Sequence, residues 1–171
     1  MAQAPLIAAI EEANEFQTQT LFASLARQWA EAGLKVVGLV AEHHGQGERI
    51  CTSGYLIDLA SGERYSIFKD TIPEGKICHV DAEGALDACA AVLTQIPDAD
   101  LIVLSKFGKL EAGGEGLAAA FETAIAAGKP VLTTVSDKHI PEWRSFAPHA
   151  ARIPPERQSI LAWKEAVFAA A

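Results

Sequence analysis

Short apolar segments alternate along the chain with longer segments in which apolar residues recur every three or four positions. Uninterrupted apolar runs of about four to eight residues are typical of strands buried on both faces of a parallel sheet. Such runs occur at residues 6–10 and 101–104, and residues 35–40 and 131–135, which are mostly apolar, also have the character of buried strands. Helical spacing predicts helices that begin near Asn14, Asp81, Gly116, Pro141 and Glu156. This alternation predicts a three-layer α/β fold with a mainly parallel sheet flanked by helices.

A β-hairpin is predicted as an insertion in this plan. Residues 50–59 and 64–68 have strand character, and the four residues between them include Gly62, which suits a turn position with positive φ. A short edge strand is predicted at residues 77–80. No repeat or linker interrupts the chain, so residues 1–171 are expected to form one domain.

Two of the predicted helices have faces that indicate which residues reach the core. The helix after Asp81 carries Leu86, Ala90 and Leu93 at helical spacing, and the helix after Gly116 has Leu117, Phe121 and Ile125 on one face. We expect both faces to pack against the sheet.

Composition narrows the classes of function. Of 171 residues, 50% are hydrophobic, and 14 Lys plus Arg stand against 22 Asp plus Glu, for a net charge of −8. That charge disfavours nucleic acid and acidic membrane surfaces as partners. The three cysteines form no CxxC pair, and no signal peptide or apolar run of bilayer length is found. We therefore expect a cytoplasmic protein.

Polar residues follow four of the predicted strands. Glu11 follows the first strand, His43 the second, Ser105 and Lys106 the third, and Ser136 the fourth. The carboxyl ends of parallel strands meet at one edge of a sheet, where ligands bind in open α/β folds. We expect the ligand site at this edge.

The residues at that edge differ from those of a nucleotide-hydrolysing site. Residues 10–20 contain neither the glycines nor the lysine of a phosphate-binding loop, and they include Glu11, Glu12 and Glu15. Ser105 and Lys106 stand where an acid would hold Mg²⁺. Because a lysine attracts anions, we expect an anion site there. Lys106 and Lys109 would supply its charge, Gly108 close backbone approach, and Glu111 a neighbouring carboxylate.

Four segments, at residues 31–40, 57–63, 100–111 and 127–132, follow one another in the order of a known family. Together they resemble uncharacterised bacterial domains of the DUF2478 type, whose most specific segment is Lys-Phe-Gly-Lys-x-Glu, here residues 106–111. That family is similar in layout to thermophile-type nucleoside-triphosphatases. The resemblance covers residues 5–150 and implies a P-loop NTPase-like fold with degenerate nucleotide motifs. It also implies a link with molybdate or oxyanion metabolism.

Other groups of residues give weaker indications of a functional site. Cys51, Cys78 and His79 lack the spacing of a metal site, and their metal or redox role stays open. Cys89 lies on the apolar side of a helix and is expected in the core. Trp143 and Phe146 are expected to pack on the sheet. No serine-hydrolase elbow occurs, and the sequence identifies no catalytic residue or cofactor.

The leading hypothesis is a non-hydrolysing protein that binds a small anionic or nucleotide-like ligand. Its site residues would be Lys106, Gly108, Lys109, Glu111, His43, Ser136 and Glu11. A first alternative is a divergent nucleoside-triphosphatase in which Glu11, Glu12 or Asp137 holds the metal. A second is a regulatory interaction module without a small ligand, which uses the hairpin at residues 50–68. A protein partner or a homo-oligomer fits any of them.

Overall fold

Helices and strands alternate in the computed structural model, which describes residues 3–11, 15–43, 53–67 and 82–170. The strands are β1 (Ile7–Ile10), β2 (Val36–His43), β3 (Ser53–Asp58), β4 (Arg64–Ser66), β5 (Leu101–Phe107), β6 (Val131–Val135) and β7 (Ala151–Arg152). The helices are α1 (Glu15–Glu31), α2 (Ala82–Leu93), α3 (Lys109–Ala112), α4 (Ala118–Ala126), α5 (Ile140–Phe146) and α6 (Arg157–Ala169). Short 3₁₀ turns lie at Ile96–Asp98 and Asp137–His139.

The strands form one sheet in the order β4-β3-β2-β5-β6-β1-β7. The strands β2, β5, β6, β1 and β7 are parallel, whereas β3 pairs antiparallel with both β2 and β4. The predicted hairpin is therefore confirmed as an antiparallel extension of the sheet. Its turn places Gly62 at φ +78°, and the buried Asp58 carboxylate accepts hydrogen bonds from the backbone N–H groups of Ala60 and Ser61.

Helices cover both faces of the sheet. On one face α1 and α6 bury Phe22, Leu25, Ile160 and Trp163 against alternate strand residues. On the other face α2, α4 and α5 pack on the remaining strand residues. Successive strand side chains point to opposite faces, so a strand covered on both sides is apolar throughout. This explains the uninterrupted runs in the sequence and confirms the three-layer α/β class.

The face of α2 that packs on the sheet differs from the one predicted. The helix buries Ala85, Ala88, Cys89 and Val92, whereas Leu86 is 52% exposed. The reason is close packing: a Cβ at Gly84 would lie 1.9 Å from the backbone oxygen of Ser66. Only small residues fit on the side of the helix that approaches the strand so closely, and Leu86 turns outward.

The structure also tests the predicted burial of Cys89 and of Ile125. Cys89 is a core residue, as predicted, and burial raises the pKa of its thiol. Ile125 was predicted to be buried and is 37% exposed, because α4 ends at Ala126 and its last turn lies beside the surface. The prediction of a strand at residues 77–80 lies outside the described residues.

Gly38 lies in the middle of β2, where the backbone of the neighbouring strand leaves no room for a side chain. Its φ is +129°, and a Cβ there would lie 1.8 Å from the backbone oxygen of Val103 on β5. No rotation of a side chain can relieve an overlap with backbone.

We predict that Gly38→Ala lowers the free energy of unfolding by about 3 kcal/mol or more, since the overlap forces strands apart in the core. Gly62→Ala is the matched control: its φ is also positive, but nothing lies within 4 Å of its added Cβ. It should cost only about 1–2 kcal/mol. Urea unfolding of both variants measures this, and equal losses would contradict the close approach of β2 and β5.

Candidate functional site

The carboxyl ends of β5, β6, β1 and β7 lie side by side along one edge of the sheet. The helix that follows β1 packs on one face, and the helix that follows β6 packs on the other. Adjacent strands whose connections leave to opposite faces open a crevice between their carboxyl ends, and ligands of open α/β folds bind there. In this chain the crevice lies between β6 and β1, so Ser136 and Glu11 stand on its two sides.

Glu11 is buried at this crevice and is held by two arginines. Its carboxylate pairs with Arg144 in a bidentate manner, with Nε to Oε1 at 3.2 Å and Nη2 to Oε2 at 2.8 Å. Arg152 adds an ion pair from Nε to Oε2 at 2.7 Å. The Glu11 side chain is 3% exposed, whereas those of Arg144 and Arg152 are 52% and 62% exposed. The carboxylate raises the pKa of Arg144, through its hydrogen bond first and its charge second.

Packing in the core explains how Arg144 reaches Glu11. The neighbouring Trp143 is 1% exposed and packs against Phe107 and Phe121, with ring centroids 5.2 and 5.8 Å away. Phe146 joins this aromatic cluster 5.3 Å from Phe107, so the predicted packing of Trp143 and Phe146 on the sheet is confirmed. With Trp143 fixed in the core, the next side chain of α5 is directed to the carboxyl edge.

Neutral groups fill the sheet where β5 ends. The backbone oxygen of Ser105 accepts hydrogen bonds from Gln19 Nε2 at 2.8 Å and from Thr134 Oγ1 at 2.6 Å. Gln19 Oε1 in turn accepts from the backbone N–H of Ala41 at 2.9 Å. All three side chains, Gln19, Ser105 and Thr134, are buried. The amide of Gln19 thus joins β2 and β5 just beyond their last paired residues.

Lys106 lies beside the carboxylate of Glu111, which accepts hydrogen bonds from two backbone N–H groups of the protein itself. Glu111 Oε2 accepts from the backbone N–H of Gly108 at 3.0 Å, and Oε1 accepts from that of Leu117 at 2.9 Å. Burial raises the pKa of Glu111, while these hydrogen bonds and the charge of Lys106 oppose that rise. Gly116 has φ +60°, and a Cβ there would lie 2.4 Å from Glu111 Oε1. Glu111 therefore fixes the loop after β5 and occupies the N–H of Gly108.

The remaining candidate residues lie along the same edge. Ser136 directly follows β6 and is half-buried, and its backbone N–H donates to Phe107 at 3.0 Å. Lys109 is exposed at the start of α3, and His43 is the last residue of β2. Glu12, Cys51, Cys78 and His79 lie outside the described residues.

Sequence reasoning missed the two arginines. Arg144 lies 133 residues from Glu11 along the chain, and no local pattern links such a pair. The role of Glu111 did have a local signal, because a carboxylate three residues after Gly108 matches the capping-box spacing at the start of a helix.

A family model described as "Protein of unknown function (DUF2478)" matches residues 7–163. The chain belongs to this family. It is 38% identical over 159 residues to the "Molybdenum import ATP-binding protein ModC 2" of Bradyrhizobium diazoefficiens. That match covers 92% of this chain but only 18% of the relative's length.

The fold is similar to that of a solved structure. The crystal structure of THEP1 from the hyperthermophile Aquifex aeolicus superposes with a TM-score of 0.61 at 15% identity, over 93% of this chain and 95% of that one. This family member therefore has a P-loop NTPase-like fold, as its sequence predicted. Within the described residues, no helix is long and apolar enough to cross a membrane, and no group of three or more metal-ligating side chains occurs.

We predict that Gln19→Met lowers the free energy of unfolding by about 2–4 kcal/mol, because it leaves the buried N–H of Ala41 without a partner and removes a bond to Ser105. Gln158→Met, on the exposed side of α6, is the control and should stay within about 0.5 kcal/mol of the wild type. Chemical denaturation compares the two variants. A small, equal effect in both would show that the Gln19 bridge contributes nothing to stability.

The raised pKa of Glu111 predicts a pH-dependent stability. The folded state binds this proton more tightly than the unfolded state, so the favourable contribution is fully present below the ordinary pKa of 4.5 and is lost as pH rises through the folded-state pKa. The wild type should therefore gain stability relative to Glu111→Gln as pH falls toward 4.5. Urea unfolding across that range measures the difference, with Glu115→Gln as the control for one lost charge. A difference that is constant with pH would refute the assignment.

Proposed function

We propose that this domain binds a small anion at the carboxyl edge of its sheet and does not hydrolyse it. The observation that carries this proposal is the exchange of charge at the two positions a nucleotide-hydrolysing site depends on. Lys106 stands at the end of β5, and the crevice after β1 holds Glu11 with its two arginines. An acid thus lies where a phosphate-binding loop carries its lysine, and a lysine lies where an acid would hold Mg²⁺.

The electrostatics of the edge support an anionic ligand. Lys106 is half-buried, so its charge is less screened than that of a fully exposed lysine. Both oxygens of Glu111 accept hydrogen bonds from backbone N–H groups. The negative charge of Glu111 therefore offsets the charge of Lys106 only through space. The half-buried Ser136 lies one strand away and can donate a hydroxyl hydrogen bond, and the exposed Lys109 adds a second charge. In the proposal, Gly108 contributes close approach rather than its N–H, and His43, the last residue of β2, stays a predicted site residue.

The same geometry argues against the nucleoside-triphosphatase alternative. Both oxygens of Glu11 are bound by guanidinium groups, so a divalent cation would have to displace two arginines to reach them. The end of β5 offers a serine and a lysine, and neither is a ligand of Mg²⁺ in place of a carboxylate. Asp137 is exposed in a 3₁₀ turn. A single exposed carboxylate does not make a phosphoryl-transfer centre.

The name of the ModC 2 relative supports an oxyanion such as molybdate as the ligand. That protein is a molybdenum import ATP-binding protein, and this chain corresponds to less than a fifth of it. Molybdate is a tetrahedral dianion whose oxygens accept hydrogen bonds from ammonium and hydroxyl groups, which are the donors of Lys106, Lys109 and Ser136. We propose that the domain senses or holds this class of anion for such a system.

The test is calorimetric titration of the protein with molybdate, phosphate and ATP. We predict binding of at least one of them, and a loss of about tenfold or more in affinity for Lys106→Ala, because a charge-assisted hydrogen bond is removed from a partly buried site. Lys35→Ala removes the same charge just before β2, at the opposite edge of the sheet, and should leave the affinity unchanged. Equal affinities for wild type and Lys106→Ala would overturn the proposal. Binding of none of the three anions would favour the regulatory interaction module instead.

A further inference from the structure

A pocket of about 350 Å³ opens beside Glu11, on the side of β1 away from the lysines. It is lined by Glu11, Arg152, Ile153, Pro154 and Pro155. The ion pair of Glu11 with Arg152 therefore forms a polar end, and the three residues after β7 form an apolar wall. The ligand donors of the site proposed above, Lys106, Lys109 and Ser136, are not among these lining residues.

The guanidinium of Arg152 retains unused donors. A guanidinium carries five N–H groups, and the contact with Glu11 uses Nε. Within the described part of the chain, no contact of its two Nη groups is found, and the side chain is 62% exposed. Among the described residues of this cluster, the two positive charges of Arg144 and Arg152 meet the one negative charge of Glu11, so these three groups carry a net charge of +1. The cluster can accept a further anion.

The apolar wall is held in place before any ligand arrives. The N–H of Ile153 donates to the backbone oxygen of Ala9 at 3.1 Å, which continues the pairing of β7 with β1. Pro154 and Pro155 each have a φ fixed by the ring, and the oxygen of Pro154 accepts from Glu156 at 2.8 Å. A preformed wall loses little entropy on binding.

We propose that this pocket binds a small organic anion, with a carboxylate or phosphate monoester on the Nη edge of Arg152 and a compact apolar body against Ile153, Pro154 and Pro155. The guanidinium fork matches both anionic groups. The volume is at the lower end for sites of organic ligands and far exceeds the roughly 30 Å³ that one water occupies in the liquid. Glu11 is a positioning residue, since its carboxylate holds Arg152 by Nε and leaves the Nη edge outward.

This pocket is separate from the lysine site. Lys106 lies on β5 and Arg152 on β7, with β6 and β1 between them. Three steps of strand spacing separate the two positions by roughly 14 Å. The two proposals share the Glu11 cluster as an observation, but their ligand donors differ, so each site can be tested without the other.

The test is a calorimetric titration with phenyl phosphate, benzoate and inorganic phosphate as probes. We expect phenyl phosphate or benzoate to bind more tightly than inorganic phosphate at this pocket, because only they contact the apolar wall. Arg152→Ala should weaken that binding by about tenfold or more, since it removes a bidentate charge-assisted contact. Arg64→Ala is the matched control: Arg64 also pairs with a carboxylate, that of Glu42 at 2.8 Å, and is 52% exposed on β4 at the other end of the sheet. It should bind the probes as the wild type does.

A second variant tests the wall without touching the arginines. Pro155→Glu places a carboxylate on the lining and should repel each probe, while thermal unfolding checks that the exposed substitution leaves the fold intact. No binding of either organic probe, or equal affinities for wild type and Arg152→Ala, would overturn the inference. If Lys106→Ala weakens the organic probes and Arg152→Ala does not, the inference fails while the proposed lysine site stands. If only Arg152→Ala weakens them, the inference holds whatever the lysines bind.

Discussion

The carboxylate of Glu11, buried at the end of β1 and held by Arg144 and Arg152, is the interaction on which the functional edge of this fold depends. A buried charge without partners is costly, and removing one member of such a cluster leaves the other charges uncompensated. The two arginines lie on α5 and β7, which are both short elements. Through Glu11 they are tied to the strand at the crevice. The crevice where an open α/β fold admits its ligand is thus lined by this ion-paired cluster.

Polar groups near the end of β5 are likewise satisfied by partners from within the protein. Where β5 ends, the amide of Gln19 and the hydroxyl of Thr134 satisfy the backbone with neutral groups, and Glu111 does so for the loop that follows. The carboxylates of Glu11 and Glu111 are therefore engaged with guanidinium and backbone N–H groups. Among the described residues of this edge, the charges that face solvent at least in part include Lys106, Lys109 and the two arginines, together with the carboxylate of Asp137.

Sequence patterns predicted the layers because a strand that is buried on both faces needs apolar residues at successive positions. Leu101–Phe107, whose residues are mostly apolar, is such a strand. The patterns failed for the face of α2, where the deciding fact is the approach of Gly84 to Ser66, a contact between elements that periodicity does not register. The strand β7 has two residues and is too short for any periodicity to detect. At the site, Glu11 and Lys106 could be placed because the carboxyl ends of parallel strands share an edge. Arg144 and Arg152 could not, since both pair with Glu11 across at least 133 residues of chain, through the packing of α5 for Arg144 and the pairing of β7 with β1 for Arg152.

The central proposal is that the edge binds anions through protein cations rather than through a divalent metal. The dependence of ATP binding on Mg²⁺ tests it most directly, because a hydrolysing site of this fold class binds the nucleotide with the metal. We predict that the affinity for ATP is no greater with Mg²⁺ than with a chelator present, and that no phosphate is released. Affinity that rises with Mg²⁺ together with release of phosphate would contradict the account.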